Sequence, residues 1–128
     1  MSPPAGRRLT VHILDVTRGK PAADVQMTVV RLDGDEVHHV ARTRTNRDGR
    51  SEGSLVEGPA MVSGIYEIRF QIGDHFSGSS ADGDAPDRGT TVRFLDVVPV
   101  RFGVADDDVH VHIALLASPW SYTTYRGS

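Results

Sequence analysis

Six short runs rich in β-branched and aromatic residues follow one another along this 128-residue chain, and each is closed by a cluster of turn formers. The runs are LTVHILD (9–15), DVQMTVVRL (24–32), EVHHVARTRT (36–45), GIYEIRFQI (64–72), TVRFLDVVPVRF (91–102) and DVHVHIALLA (108–117). Such side chains suit a pleated, half-buried surface. The intervening RGKPAA, DGD, NRDG, EGPAMVSG and ADDD supply the Gly, Pro, Asn and Asp of tight turns. This punctuation leaves no room for a long helix, so the expectation is an all-β domain, an antiparallel sandwich or small barrel. One turn of helix is expected near GDHFSGSSADGD, after a strand ending at Ile72, followed by a mobile loop over residues 77–90. Residues 1–8, MSPPAGRR, read as a flexible leader and 9–128 as a single domain. SPWSYTTY (118–125) reads as a last strand whose Trp120 and Tyr122 pack against a neighbouring sheet or subunit.

Composition removes several classes of function. With no cysteine in the chain, disulfides, thiolate catalysis and cysteine-ligated metal are excluded. The 14 basic and 17 acidic side chains are interspersed, and their net charge of −3 gives no electrostatic reason to expect nucleic acid or an anionic membrane as partner. Nothing approaches the ~20 apolar residues of a membrane span, and the first residues lack a signal-peptide core. The expected setting is soluble and cytoplasmic.

Strand parity decides which side chains share a face. In the run 108–117, Val109, Val111, Ile113 and Leu115 form the core set, which turns His110, His112, Ala114 and Leu116 outward. In the run 9–15, Leu9, Val11 and Ile13 form the core set and Thr10, His12 and Leu14 oppose them. Parity alone allows these histidines to be ordinary surface residues. Leu14, Ala114 and Leu116 nevertheless make the outward face too apolar for free surface, so a ligand or second subunit is expected to cover it. A covered histidine can have its pKa tuned for acid–base work. His38, His39 and His75 are read as surface residues. His-x-His on one strand face also admits zinc, but no carboxylate ligand or second-shell pattern can be identified, and a metal-free site is favoured. Arg50, which closes the TNRDGR turn, faces solvent unless the fold carries it to the histidines, where its guanidinium would bind an oxygen-rich ligand.

LTVHILDVTRGKPA, TRTNRDGR, GIYEIRF, FLDVVPVRFGV, HVHIALLASPW and YRGS occur in order along nearly the whole chain from Leu9 to Ser128. Together they resemble the 5-hydroxyisourate hydrolases, transthyretin-like enzymes of purine catabolism, and YRGS is the part that separates those enzymes from the hormone carriers of the same fold. The resemblance implies a transthyretin-like antiparallel β-sandwich of seven to eight strands with one short helix. It further implies a homotetramer, a dimer of dimers, with sites in clefts between dimers. The implied reaction is hydrolysis of 5-hydroxyisourate in urate degradation, with no cofactor and no metal. Carried over by position, the implied catalytic residues are His12, Arg50, His112 and Ser128, with Tyr125 joining His12, Arg50 and His112 in binding substrate. The competing reading is a small-ligand carrier without catalysis.

Overall fold

The computed structural model describes residues 4–78 and 92–128. Its strands, in chain order, are β1 (Arg8–Asp15), β2 (Lys20–Pro21), β3 (Gln26–Asp33), β4 (Glu36–Arg44), β5 (Val56–Glu57), β6 (Gly64–Gln71), β7 (Val97–Val104), β8 (His110–Ala117) and β9 (Tyr122–Gly127). One sheet runs β2-β1-β8-β9 with β5 against the start of β1, and the other runs β4-β3-β6-β7. Seven of these strands are long and correspond to the six expected runs and the expected last strand. The two-residue strands β2 and β5 have no periodicity to announce them.

The sandwich is all-β, as expected, but not wholly antiparallel. β1 and β8 run parallel over eight residue pairs, including Thr10 with His112 and His12 with Ala114. Their distance in sequence permits this, because a parallel pair needs a long crossover and cannot be closed by a hairpin. Parity holds on both strands. Leu9, Val11 and Ile13 of β1 and Val111, Ile113 and Leu115 of β8 are buried, and they meet Met27, Val29, Tyr66, Ile68 and Phe70 of the other sheet across the core. Val109 precedes β8 and is exposed rather than part of the core.

Helix α1 (Ile72–Gly78) follows β6 directly, where one helical turn was expected. Ser77 therefore belongs to the helix, where its hydroxyl donates to the Gly73 carbonyl at 2.6 Å. Most of the expected 77–90 loop lies outside the described residues. The fifth run is shorter than expected, with β7 beginning only at Val97.

Order at the other end begins before Leu9. Arg8 opens β1, and Arg7 is only 1% exposed. Burying a guanidinium is costly unless its donors are satisfied. Here Arg7 donates to the carbonyls of Asp108 (2.9 Å), Met61 (3.0 Å) and Ala105, which ties the start of β1 to the turn before β8.

Candidate active site

The residues that parity turns outward on β1 and β8 come together through the parallel pairing, because Thr10 lies beside His112 and His12 beside Ala114. The Thr10 hydroxyl oxygen is 2.7 Å from Nε2 of His110 and 2.7 Å from Nδ1 of His112, so a single hydroxyl joins both imidazoles. Their ring centres are 5.9 Å apart.

Arg50 reaches this strip because its turn docks on β1. Asn46 Oδ1 accepts from the backbone N–H of Asp48 (2.9 Å) and of Arg50 (3.2 Å), which folds the turn on itself. The Ile13 N–H then donates to the Gly49 carbonyl at 2.9 Å and pins the turn to the strand that carries His12. Gly49 has φ +74°, and a β-carbon there would collide with the Ile13 carbonyl oxygen, so this approach requires glycine.

The result is a cavity of about 230 Å³ lined by Thr10, Arg50, Ser51, His110, His112 and Ser128, among others. His12 is not in its wall. It stands on the same face of β1, close enough to Arg50 for the guanidinium to oppose its protonation. Burial chiefly, and then Arg50, lower the pKa of His12 below its ordinary 6.5, against smaller opposing effects from the Asp48 carbonyl and carboxylate. His112 is lowered by burial first, then by Arg50, His110 and His12. Both shifts favour the neutral imidazole, the form that a base or a neutral hydrogen-bond donor requires.

The segment 125–128 belongs to the last strand and its end. It continues β9 as far as Gly127, antiparallel to β8, with Tyr125 opposite Ala114 and Gly127 opposite His112. A β-carbon on Gly127 would run into the His112 ring, so the imidazole occupies space that only glycine leaves open. Ser128 enters the cavity wall, whereas Tyr125, on the same face by register, is 57% exposed and does not line it. Sequence reasoning had placed Thr10 and His110 on the correct face without giving them a part in the site. It gave no signal for Gly127, whose importance is purely steric.

One other expectation changes. His75 is not a surface residue: its side chain is 10% exposed, and Nε2 lies 2.9 Å from the buried carboxylate of Asp15. Trp120 precedes β9 and is exposed in this chain with Phe94 beside it, and Tyr122 is also exposed. Neither packs on a neighbouring sheet of this chain, and the subunit alternative of that expectation stands. Among the described residues, the trio of His, Asp or Glu whose ligand atoms converge within 4.8 Å is Asp33, Glu36 and His38, at the β3–β4 hairpin, and not the His-x-His pair. A larger hollow of about 610 Å³, lined by Phe76, Arg93, Phe94 and Trp120 among others, contains no histidine, and Arg93 is engaged with Asp74, Asp96 and Ser77.

A β-sandwich whose outer sheet face sets two histidines beside a docked arginine is a protein equipped for polar chemistry on that face. The chain belongs to the HIUase/Transthyretin family, whose sequence pattern it matches over residues 9–127. It is 46% identical over 121 residues to 5-hydroxyisourate hydrolase 2 of Rhizobium meliloti, covering 94% of this chain and 96% of that one. The structure of Klebsiella pneumoniae 5-hydroxyisourate hydrolase is similar with a TM-score of 0.72 at 27% identity, over 95% of this chain and 99% of that one. That of (S)-allantoin synthase is similar with a TM-score of 0.82 at 37% identity, covering all of this chain and 46% of the synthase chain.

Proposed function

We infer that this chain hydrolyses 5-hydroxyisourate to 2-oxo-4-hydroxy-4-carboxy-5-ureidoimidazoline, a step of urate degradation. The observation that carries the reading is the docking of the 46–50 turn on β1, which brings Arg50 to two imidazoles held neutral. In the reaction, water adds to the carbonyl carbon C6 and the N1–C6 bond breaks. The proton lost by water passes through an imidazole to N1. His12 and His112 share this water activation and proton delivery. Arg50 binds the oxygen-rich ring and balances the negative charge that grows on the attacked oxygen. Ser128 hydrogen-bonds substrate or water from the cavity wall, and Tyr125 does so from the exposed sheet face beside it once a second copy closes the cleft.

A homotetramer, arranged as a dimer of dimers, completes the cleft. The cavity of about 230 Å³ on one chain falls short of the roughly 300–1,000 Å³ usual for ligand pockets, which supports closure by a second copy. No helix among the described residues is long and apolar enough to cross a membrane. We place the enzyme in the cytoplasm, a setting that a chain without cysteine fits. A carrier of an aromatic ligand would need a more apolar channel than one lined by Thr10, Arg50, His110 and His112.

The test is ring opening of freshly generated 5-hydroxyisourate, followed spectrophotometrically with its spontaneous decay subtracted. Acceleration well above background is expected, and a rate equal to background overturns the reading. In a thermal-shift comparison, a purine analogue should stabilise the protein more than thyroxine does; the opposite result favours the carrier.

A further inference from the structure

The hydrogen bonds around Thr10 have a direction, and that direction separates the roles of the two histidines. A guanidinium offers only donors. Arg8 Nη2 lies 3.4 Å from Nδ1 of His110, so that nitrogen accepts and presents a lone pair. A neutral imidazole carries one ring proton, and in His110 it is therefore on Nε2, which faces the Thr10 hydroxyl at 2.7 Å. Thr10 accepts there and has its own O–H left to donate. The remaining partner at 2.7 Å is Nδ1 of His112, which consequently accepts. The ring proton of His112 then sits on Nε2, the one nitrogen not engaged by Thr10. The reverse polarity would point an N–H of His110 at the Arg8 guanidinium, donor against donor.

Burial first, and then the charges around these rings, favour this neutral state. His112 faces Arg50 from the docked turn, His12 from β1 and His110 from its own strand. His110 faces Arg8 from β1 and Arg126 from β9. All are cationic or can become so, and all oppose a second proton on either ring. His12 differs, because it stands on the same face of β1 but outside this chain of hydrogen bonds, whose Thr10 hydroxyl is taken up by His110 and His112, so its lone pair is not held by Thr10.

We propose that Thr10 is a positioning residue that locks His112 in the Nε2–H tautomer, making His112 the hydrogen-bond donor to the attacked carbonyl oxygen and leaving His12 as the general base. This rests on the hydrolase reading above. His12 takes a proton from water as the oxygen–C6 bond forms and delivers it to N1 as the N1–C6 bond breaks. His112 donates a hydrogen bond to the oxyanion throughout and keeps its proton. A neutral imidazole can serve in this way where its environment suppresses the imidazolium.

Two variants test the proposal. Thr10→Val keeps the β-branched shape and removes the hydroxyl, while Thr10→Ser keeps the hydroxyl. Side-chain 15N NMR on wild-type protein should show His112 unprotonated at Nδ1 and protonated at Nε2, with that preference lost in Thr10→Val and kept in Thr10→Ser. For Thr10→Val, kcat should fall by roughly 10–100-fold with KM changed much less, as for loss of a group acting in the transition state, and Thr10→Ser should recover most of it. The acid limb of the residual activity should stay with His12. A His112 proton on Nδ1 in wild type, or wild-type kcat in Thr10→Val, overturns the proposal. Because the tautomer is read without substrate, its failure is distinguishable from an absence of hydrolysis in the wild-type enzyme, which would instead remove the functional reading.

Discussion

On the outer face of the four-stranded sheet, the Glu67 carboxylate lies between Arg69 Nε at 2.7 Å and Arg101 at 3.1 Å. On the outer face of the five-stranded sheet, Arg50 lies instead beside His12 and His112, and its charge lowers the pKa of both. Both faces are built from outward-turned positions of strands whose other side chains fill the core. In the first, opposite charges meet and satisfy one another. In the second, a cation is set against groups whose protonation it opposes, and among the described residues no ion pair takes up the Arg50 charge, so it is left for a ligand to balance. Charge matched within the chain is a structural feature, whereas charge left unmatched on a half-covered face marks a place for chemistry.

The hardest test of this contrast is to remove the imidazoles. His12→Asn and His112→Asn should each lower kcat/KM for 5-hydroxyisourate by roughly 10²–10⁴-fold, the usual range for a group acting in proton transfer. Circular dichroism should show the sandwich intact, because both side chains stand on the outer face of β1 and β8 and not in the core. Unchanged turnover in either variant would remove that residue from the site.

A smaller loss is expected from Gly127→Ala. The new methyl group meets the His112 ring, so either the ring or the β9 edge must shift, and a displacement on the order of 1 Å near reacting groups can cost about 10²-fold in rate. The variant should lose turnover out of proportion to any fall in Tm. A wild-type rate would show that the ring position over Gly127 does not matter. This substitution is sharper than deleting residues 125–128, because deletion would also remove half of β9 and its pairing with β8.

The pH profile gives a directional test. Activity needs a neutral His12, so it is retained above the folded pKa and lost as pH falls through it. With that pKa lowered, the acid limb should lie below the ordinary 6.5. Arg50→Gln removes a charge that opposes protonation, so the residual activity should show an acid limb displaced to higher pH. An unmoved limb would mean that Arg50 does not act on the base.

These two faces also show what the sequence could reveal. Alternation in LTVHILD and DVHVHIALL was enough to place Thr10, His12, His110 and His112 on one side and the core on the other, because a strand's period of two is local information. Alternation in GIYEIRFQI is of the same kind, and nothing in it distinguishes Glu67 from a catalytic carboxylate. The pairing that closes the site is non-local. The parallel register of β1 on β8, the docking of Gly49 on Ile13 and the approach of Gly127 to His112 each join residues far apart in sequence, and no spacing rule encodes them. Arg50 was therefore legible as a residue but not as a neighbour, except through family resemblance. His75 was misread for the same reason: its partner Asp15 is 60 residues away.

Glu67→Gln should have the least effect, and it tests the structural half of the contrast. Hydrogen bonding to Arg69, ahead of that to Arg101, lowers the Glu67 pKa below its ordinary 4.5 despite burial. A depressed carboxylate pKa contributes stability that is fully present above the unfolded value and disappears as pH falls through the folded value. Because both arginines are substantially exposed, solvent screens the pairs, and the loss at neutral pH should be about 1 kcal/mol or less. Urea denaturation should show wild type and Glu67→Gln converging in stability as pH is lowered beneath 4.5, with kcat for 5-hydroxyisourate the same in both at neutral pH. A fall in turnover would mean that the matched face also serves catalysis, and the distinction between the two faces would fail.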